Sequence, residues 1–549
     1  MNKFADLHCH PHMRSFNWLR GSKFENKEDK FHPWHVIVSK IKAKADGRRA
    51  NAYSQSDLIK LKNGNLKLAF VSLYPMEKGW FKGREDIPQG TYQKTLRSFT
   101  NNKFIYWLLD QNFDWVENLL LKLGKGKGNK LAIRDVLQGI FLKLPNRRIQ
   151  FIQSSDYNYF EELIKERDFL LSKNNKETES DIFVPAVKSI FKGKKKLIRK
   201  NPKEFKATGI YEIAKNKNDI PRIIDQENKI AFVFTIEGSN VFNTNDSDEL
   251  IISRIKQVKA WEDTPVFFIS FAHHFNNSLC GHAHSIPDAG NLILDQSQGM
   301  NSGFTEKGIK IIRYFLSLDE NNIYNSNKFG RRILIDIKHL SAMARKFYYD
   351  EVIKPCRNNN DHIPIVASHV AYSGNKTIDG LITNASKETD KDAISTIDKP
   401  FNTWNINLSD EDVIEVFLSG GIIGINIDQR ILALPKKDKK RTYPDDYDIS
   451  FFWENLKAMM KVIIDSKLDN KEKVVDLFAL GTDFDGYIDP LDKYPTVLEF
   501  DDLREALIKK IDQDELKNKL LFGLETTVFV DKICFDNAYN FVLKNFNNP

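Results

Sequence analysis

Short, near-continuous apolar runs alternate along this chain with longer stretches in which apolar residues recur every three or four positions. Eight of the runs are rich in β-branched and aromatic residues: Lys3 to Leu7, Leu66 to Leu73, Ile230 to Ile236, Val266 to Phe271, Ile333 to Ile337, Ile363 to Ala367, Gly421 to Ile427 and Leu477 to Leu480. Unbroken apolar character is what a strand covered on both faces of a parallel sheet requires. The intervening stretches have helical spacing. In GFTEKGIKIIRYFLSL, from Gly303, the apolar positions form one stripe; in SDEDVIEVFLSGG, Ser409 is placed to cap a helix beginning near Asp410 and Gly420 to end it. Strand and helix alternating eight times predict an α/β protein, a (β/α)8 TIM barrel.

One interval breaks the rhythm. From Leu73 to Ile230 the chain runs on for roughly 150 residues, where a βα unit needs about 30. The pattern therefore divides the chain into a barrel formed by 1–75 and 226–549, and an insertion, 76–225, after the second strand. The insertion reads as mostly helical, from amphipathic pieces such as FIYWLLDQNFDWVENLLLKL and YFEELIKERDFLL, with the Lys-rich runs KLGKGKGNK and FKGKKKLIRK as solvated loops. Leaving from the catalytic end of a barrel, it is placed to act as a lid or pocket wall. Smaller Lys/Asp-rich insertions are expected at 376–400 and 431–450.

Composition narrows the class. The 549 residues are 41% hydrophobic and 28% charged, the balance of a soluble globular protein. A net charge of +8, from 82 Lys+Arg against 74 Asp+Glu, is too mild and too dispersed to argue for nucleic acid. No run approaches the roughly 18 apolar residues of a membrane span. The start, MNKFADLHCHPH, lacks the basic and apolar regions of a secretory signal, and the end, FVLKNFNNP, lacks a lipid-anchor tail. Cys9, Cys280, Cys356 and Cys534 are widely spaced, with no CxxC pair, and fit a reducing compartment. A cytoplasmic location is expected.

The candidate chemistry sits where strands end. His8 and His10 follow the first strand, and side chains two apart on an extended chain point the same way, so both imidazoles can reach one metal. Glu237 follows the third strand, in TIEGSN; His273 follows the fourth, beside His274 and Asn276; His339 follows the fifth, in LIDIKHLS; His369 follows the sixth, in IVASHVAYSG; Asp483 follows the eighth, in ALGTDFDG. A lone histidine at a strand end is ordinarily a hydrogen-bonded loop residue, and a lone Asp-Gly ordinarily a turn. Six strands delivering a histidine or carboxylate to one end form a joint pattern, because a barrel gathers its C-terminal strand ends around one opening. His12, His32, His35, His282, His284 and His362 lack that placement and are expected at the surface or as supports. His274 should diverge from His273 if the chain is still extended there.

The succession HxH, IEGSN, AHHFNN, DIKHLS, ASHVAYSG, GTDFDG resembles the membrane dipeptidase (renal dipeptidase) family of zinc peptidases, within the amidohydrolase superfamily of metal-dependent hydrolases. It covers residues 1–75 and about 230–490, including NSGFTEKG and GGIIGIN; the insertion resembles nothing named. The resemblance implies a binuclear site for two divalent ions, Zn2+ being the family metal, with His8 and His10 on one ion, His339 and His369 on the other, and Glu237 bridging. It further implies that His273 contacts the scissile carbonyl, that Asp483 handles protons, and that a small substrate such as a dipeptide is met by His273, Asn276, Tyr372 and Lys376. A homodimer is a family-level expectation.

Two departures stand out. The family has HxD after strand one where this chain has His8-Cys9-His10, which leaves the site more positive by about one charge. The family arginine that holds the substrate carboxylate is also missing after His369, and Lys376 would replace it only as a point charge. The sequence thus predicts a binuclear metal-dependent hydrolase cleaving a peptide or amide bond. A cyclic amide, lactone or other ester is the alternative substrate class, and a catalytically silent scaffold with a basic binding insertion is the alternative outside enzymology.

Overall fold

The computed structural model describes residues 2–19, 32–37, 54–81, 146–185, 197–199, 208–286, 294–396, 400–435 and 443–546. Eight parallel strands follow one another around the barrel: β1 (Phe4–Cys9), β2 (Leu66–Leu73), β3 (Lys229–Glu237), β4 (Val266–Ser270), β5 (Leu334–Asp336), β6 (Val366–Val370), β7 (Ile422–Ile425) and β8 (Phe478–Leu480). Each pairs in parallel with the next. The ring closes through a parallel bridge between Cys9 and Phe484, where His10 N donates to Phe484 O (2.9 Å) and Asp483 N to His8 O (2.9 Å). Closure therefore occurs at three of the sequence-predicted site residues, His8, His10 and Asp483.

The strands are buried along their length, as their unbroken apolar runs demand. The sixth is displaced. The expected run Ile363 to Ala367 contains Pro364, which has no N–H for a ladder; the strand instead starts at Val366 and carries Ser368 and His369 within it. Helices behave as their caps predict. Ser409 Oγ accepts from Asp412 N, Asp412 reaches back to Ser409 N in a capping box, and Gly420, at φ +67°, follows the helix Asp410–Leu418.

Part of the insertion lies within the described residues. Asn146–Gln153 and Tyr159–Leu171 are helices, the second coinciding with YFEELIKERDFLL. Short strands also occur: Thr178–Glu179 pairs with Thr208–Ile213, which joins the start of β3 in parallel. FIYWLLDQNFDWVENLLLKL and KLGKGKGNK fall outside the described residues; of FKGKKKLIRK, expected as a loop, the described part Leu197–Arg199 is instead a strand paired antiparallel with Asp181–Pro185, in keeping with the β-branched isoleucine at its centre. The helices pack at one side of the barrel mouth, where Met13, Tyr74, Met76, Trp80, Phe81, Ile149, Ile152, Tyr157, Phe275 and Ile286 form a second apolar cluster apart from the main core. No helix of the described residues is long and apolar enough to cross a membrane. All four cysteines are free and buried.

Candidate metal centre

Where the strands end, histidines and carboxylates from β1, β3, β4, β5, β6 and β8 meet. His8 Nε2 and His10 Nε2 are 3.1 Å apart on the same side of β1. Glu237, the last residue of β3, lies between them and the rest: its Oε1 is 3.3 Å from His8 Nε2, 3.5 Å from both His273 Nε2 and His339 Nε2, and 3.8 Å from His369 Nε2, while Oε2 is 3.1 Å from His10 Nε2. Asp483 completes the ring, with Oδ1 3.8 Å from His8 Nε2 and 3.7 Å from His10 Nε2, and Oδ2 3.8 Å from His369 Nε2.

Local backbone chemistry makes this possible. Gly238 holds φ +85°, letting the chain turn sharply as soon as Glu237 has been delivered. His339 and Asp483 themselves adopt left-handed backbone, φ 66° and 59°, a conformation costly for residues with a Cβ and concentrated at functional sites. A Cβ at Gly486 would lie 2.0 Å from Asp483 Oδ1, so only glycine leaves room for that carboxylate.

Beneath the ring, two buried carboxylates tie strand ends together. Asp336 accepts from Ser270 Oγ (2.6 Å), Ser368 Oγ (2.6 Å), Ser368 N (3.0 Å) and Lys338 N (3.0 Å), joining β4, β5 and β6. Asp6 accepts from Thr482 Oγ1 (2.5 Å), Thr482 N (2.9 Å) and His8 N (3.2 Å), joining β1 to β8; burial pushes its pKa up to about 7 despite those donors. The outer nitrogens of the histidines are held too. His10 Nδ1 donates to Ser72 O (3.1 Å), and His369 Nδ1 to Ser368 Oγ (2.8 Å), whose own proton goes to Asp336. Fixing Nδ1–H makes Nε2 the nitrogen that faces the centre, as metal-ligating histidines require.

The electrostatics point the same way. Burial holds the His8, His339 and His369 rings below the usual histidine range, in the neutral form a metal needs. Burial would also lower His10, but the hydrogen bond and charge of Glu237, with Asp483 behind, outweigh it and raise His10 to about 9. Burial would raise Glu237, yet the encircling His273, His8, His10 and His339 hold it well below the carboxylate range. Asp483 is pushed well up, by burial and then by the charge on Glu237. Several polar atoms in the ring are buried with no hydrogen-bond partner: His8 Nδ1, both nitrogens of His339, and His369 Nε2. Unpaired buried nitrogens cost free energy unless something else binds them. Ligand atoms of His8, His10 and Asp483 lie within 4.8 Å of one another, as do those of Glu237, His339 and His369, of His8, Asp336 and His369, and of His273, His274 and His339. The donor set fits divalent metal; in the third of these groups Asp336 already accepts four hydrogen bonds and acts as a support.

Tyr372 is buried with its hydroxyl on Asp410 Oδ1 (2.5 Å), and Lys376 is exposed, with its charge acting on the same Asp410. Asn276 is exposed, and its Oδ1 accepts from Ser278 N (2.9 Å). His12, His282 and His284 are buried, His12 against Glu166 Oε1 at 2.7 Å.

Three charged residues absent from the sequence-based set adjoin the ring. Glu77 Oε2 accepts from His273 Nδ1 (2.5 Å) and from Tyr74 OH (3.2 Å); the charges of Glu237 and Glu77 outweigh burial and raise His273. Lys338, fully buried next to His339, is brought down to about 8 by burial against the pull of Asp483 and Asp336. Arg430, past β7, grips Asp428 with Nε (3.0 Å) and Nη2, and Asp483 adds to the charge that raises it. Glu77 had no signal, standing four residues past β2 in LYPMEK; Lys338 was legible only as the neighbour of His339.

No family model and no curated protein matches the chain by sequence. Among solved structures it matches a metallopeptidase from Rhodobacter sphaeroides liganded with a phosphinate mimic of the dipeptide L-Ala-D-Ala (12% identity, 99% of each chain, TM-score 0.46). It also matches dipeptidase AC, a metallopeptidase of family M19 (12% identity, 100% of this chain and 99% of that one, TM-score 0.47). A third match is the probable dipeptidase PvdM from Pseudomonas aeruginosa (14% identity, 95% of this chain and 97% of that one, TM-score 0.40).

Proposed function

We propose that this chain is a binuclear metal-dependent hydrolase of the dipeptidase type, cleaving a peptide or amide bond in a small substrate. One observation carries the reading: two groups of ligand atoms, His8, His10 and Asp483 on one side and Glu237, His339 and His369 on the other, meet at Glu237, whose two oxygens face different histidines. His8 and His10 would hold one ion, His339 and His369 the other, and Glu237 would bridge them, with zinc the metal best suited to imidazole-rich donors. Bound there, two divalent cations supply an acidified water and polarise the scissile carbonyl.

The chain's own residues do the rest. Asp483, raised by burial and by Glu237, is poised to take a proton beside the nucleophile and return it to the leaving amine. His273, with Nδ1 donating to Glu77 and its pKa raised by Glu237 and Glu77 against burial, is set as an imidazolium to donate from Nε2, which faces the ring, to the carbonyl oxygen as negative charge develops there. Asp336 and Asp6 keep the strand ends in register so that these groups stay in place. The test is metal analysis of the purified protein together with turnover of a dipeptide panel, repeated with Glu237→Gln. About two metals per chain, with activity lost in the variant, is the expected result; a metal-free protein at about pH 7.5, where the bound water should be active, would overturn it.

A second substrate class is favoured by one feature: the Tyr372 hydroxyl is taken up by Asp410 and Lys376 is exposed, which leaves the substrate's terminal carboxylate without a fixed cationic partner. A cyclic amide, lactone or other ester needs no such partner. Comparing free dipeptides with C-terminally blocked ones separates the two, since indifference to blocking selects the second class.

A further inference from the structure

After Ser270 the chain leaves β4 and bends, so the side chains of His273 and His274 do not diverge as they would on an extended strand. Their ring centres are 4.0 Å apart, and those of His273 and His274 lie 4.6 and 4.9 Å from that of His339. One nitrogen from each of the three comes within 4.8 Å of the others. The outer faces of two rings are already held. His273 Nδ1 donates to Glu77 Oε2 (2.5 Å); His274 Nδ1 is 2.7 Å from Ser285 Oγ, which in turn accepts from Gln296 Nε2 (2.6 Å). With Nδ1 of both rings engaged on the outside, Nε2 is the nitrogen each can turn to a cation, which would take the place of any proton there; such outer partners orient metal-ligating histidines. His339 is 4% exposed and has no hydrogen-bond partner at either nitrogen. Three imidazoles with a fourth position open form a recurrent zinc-binding set.

We propose that His273, His274 and His339 form a further cation position beside the binuclear centre, one that inhibits when filled. A cation there draws His273 away from the carbonyl oxygen it would otherwise meet. It also competes for His339 with the second ion of the pair, so it is the weakest of the three ions. The binding claim stands on this geometry alone; the inhibition claim rests on the hydrolase reading proposed above.

The experiment loads the full chain with two equivalents of Zn2+ and titrates further Zn2+, following bound metal by equilibrium dialysis and dipeptide turnover in parallel. Wild type should take up a third, weaker equivalent and lose turnover as it binds. His274→Thr should stop at two equivalents and resist the inhibiting concentrations. Ser285→Ala, which removes the outer partner of His274 and leaves all three imidazoles, should bind the third ion about tenfold more weakly, with unchanged circular dichroism; it carries the test if His274→Thr misfolds. Absence of a third equivalent in wild type, or one of equal affinity in His274→Thr or Ser285→Ala, overturns the inference. A third equivalent with no turnover of any substrate leaves the cation position and sinks the hydrolase, whereas dipeptide hydrolysis indifferent to excess Zn2+ does the reverse.

Discussion

The carboxylate of Glu77 acts on the centre through another side chain. It accepts from His273 Nδ1, is itself buried, and with Glu237 raises the His273 pKa, so the ring it orients has one direction to face and holds a proton on Nε2. Glu77→Gln keeps the shape and removes the charge; turnover should fall about 10- to 100-fold, chiefly in kcat, since removal of such outer partners has that cost. Steady-state kinetics on a substrate with measurable KM checks it, and an unchanged kcat would remove Glu77 from the mechanism. His10 sets a second expectation. In the metal-free protein Glu237 and Asp483 raise it to about 9, so it is protonated at neutral pH and must lose that proton to bind metal. Metal affinity should therefore rise with pH up to about 9 and flatten above it, changing about tenfold per pH unit below. Competition titrations with a chelator between pH 6 and about 9.5 read the slope; a flat profile would show that His10 does not ligate.

Helix Asp410–Leu418 shows how one element can be both locally capped and globally braced. Asp412 accepts from Ser409 N (2.8 Å) in the capping box, and its carboxylate also takes Arg345 Nε (2.8 Å) and Tyr349 OH (2.9 Å) from the helical segment that follows β5, all fully buried. The two roles predict different penalties. Ser409→Ala loses a cap and should cost about 1 kcal/mol. Asp412→Ala strands a buried guanidinium and should cost about 3–5 kcal/mol. Denaturant melts of the two variants check the gap, and equal losses would mean the Arg345 contact is worth little. The cap was legible in the sequence and the brace was not, for one physical reason: capping is a contact between residues three apart, whereas Arg345 and Asp412 meet only through the fold. The same division runs through the barrel. The near-continuous apolar runs marked all eight strands, and only Pro364 misled, because hydrophobicity extends through it while hydrogen bonding cannot. His8, His10, Glu237, His339, His369 and Asp483 could be named because strand ends converge in any such barrel. Tyr372 and Asn276 could not be aimed, since after the strand ends no periodicity says which way a loop side chain turns, and Glu77, Asp336 and Lys338 act through partners distant in sequence.

At the scale of the whole molecule, the insertion and the barrel meet through buried charge. Glu166, on the insertion helix Tyr159–Leu171, accepts from His12 Nε2 (2.7 Å) and from Tyr74 N (3.0 Å), while Arg148, on the helix before it, pairs with Glu162 at 2.7 Å, both buried. Tyr74 also donates to Glu77 and packs its ring at 4.7 Å from His273. A continuous chain of contacts therefore runs from the insertion, through the loop after β2, to the residue proposed to meet the substrate carbonyl. Glu166→Ala removes the acceptor for a buried backbone N–H and for His12 at once, and an unsatisfied buried donor costs about 1–3 kcal/mol. If the insertion merely decorates the barrel, that loss should appear as faster proteolysis within 146–185 while kinetics stay as in wild type. If it is a wall of the active site, the loop after β2 loosens with it, and kcat should fall together with the loss of protease resistance. The expected outcome is the coupled one, because Tyr74 N donates to Glu166 and Glu77 lies three residues beyond it. Limited proteolysis and steady-state kinetics on the same preparation decide between them, with protease sensitivity at unchanged kcat as the result that would confine the insertion to the periphery.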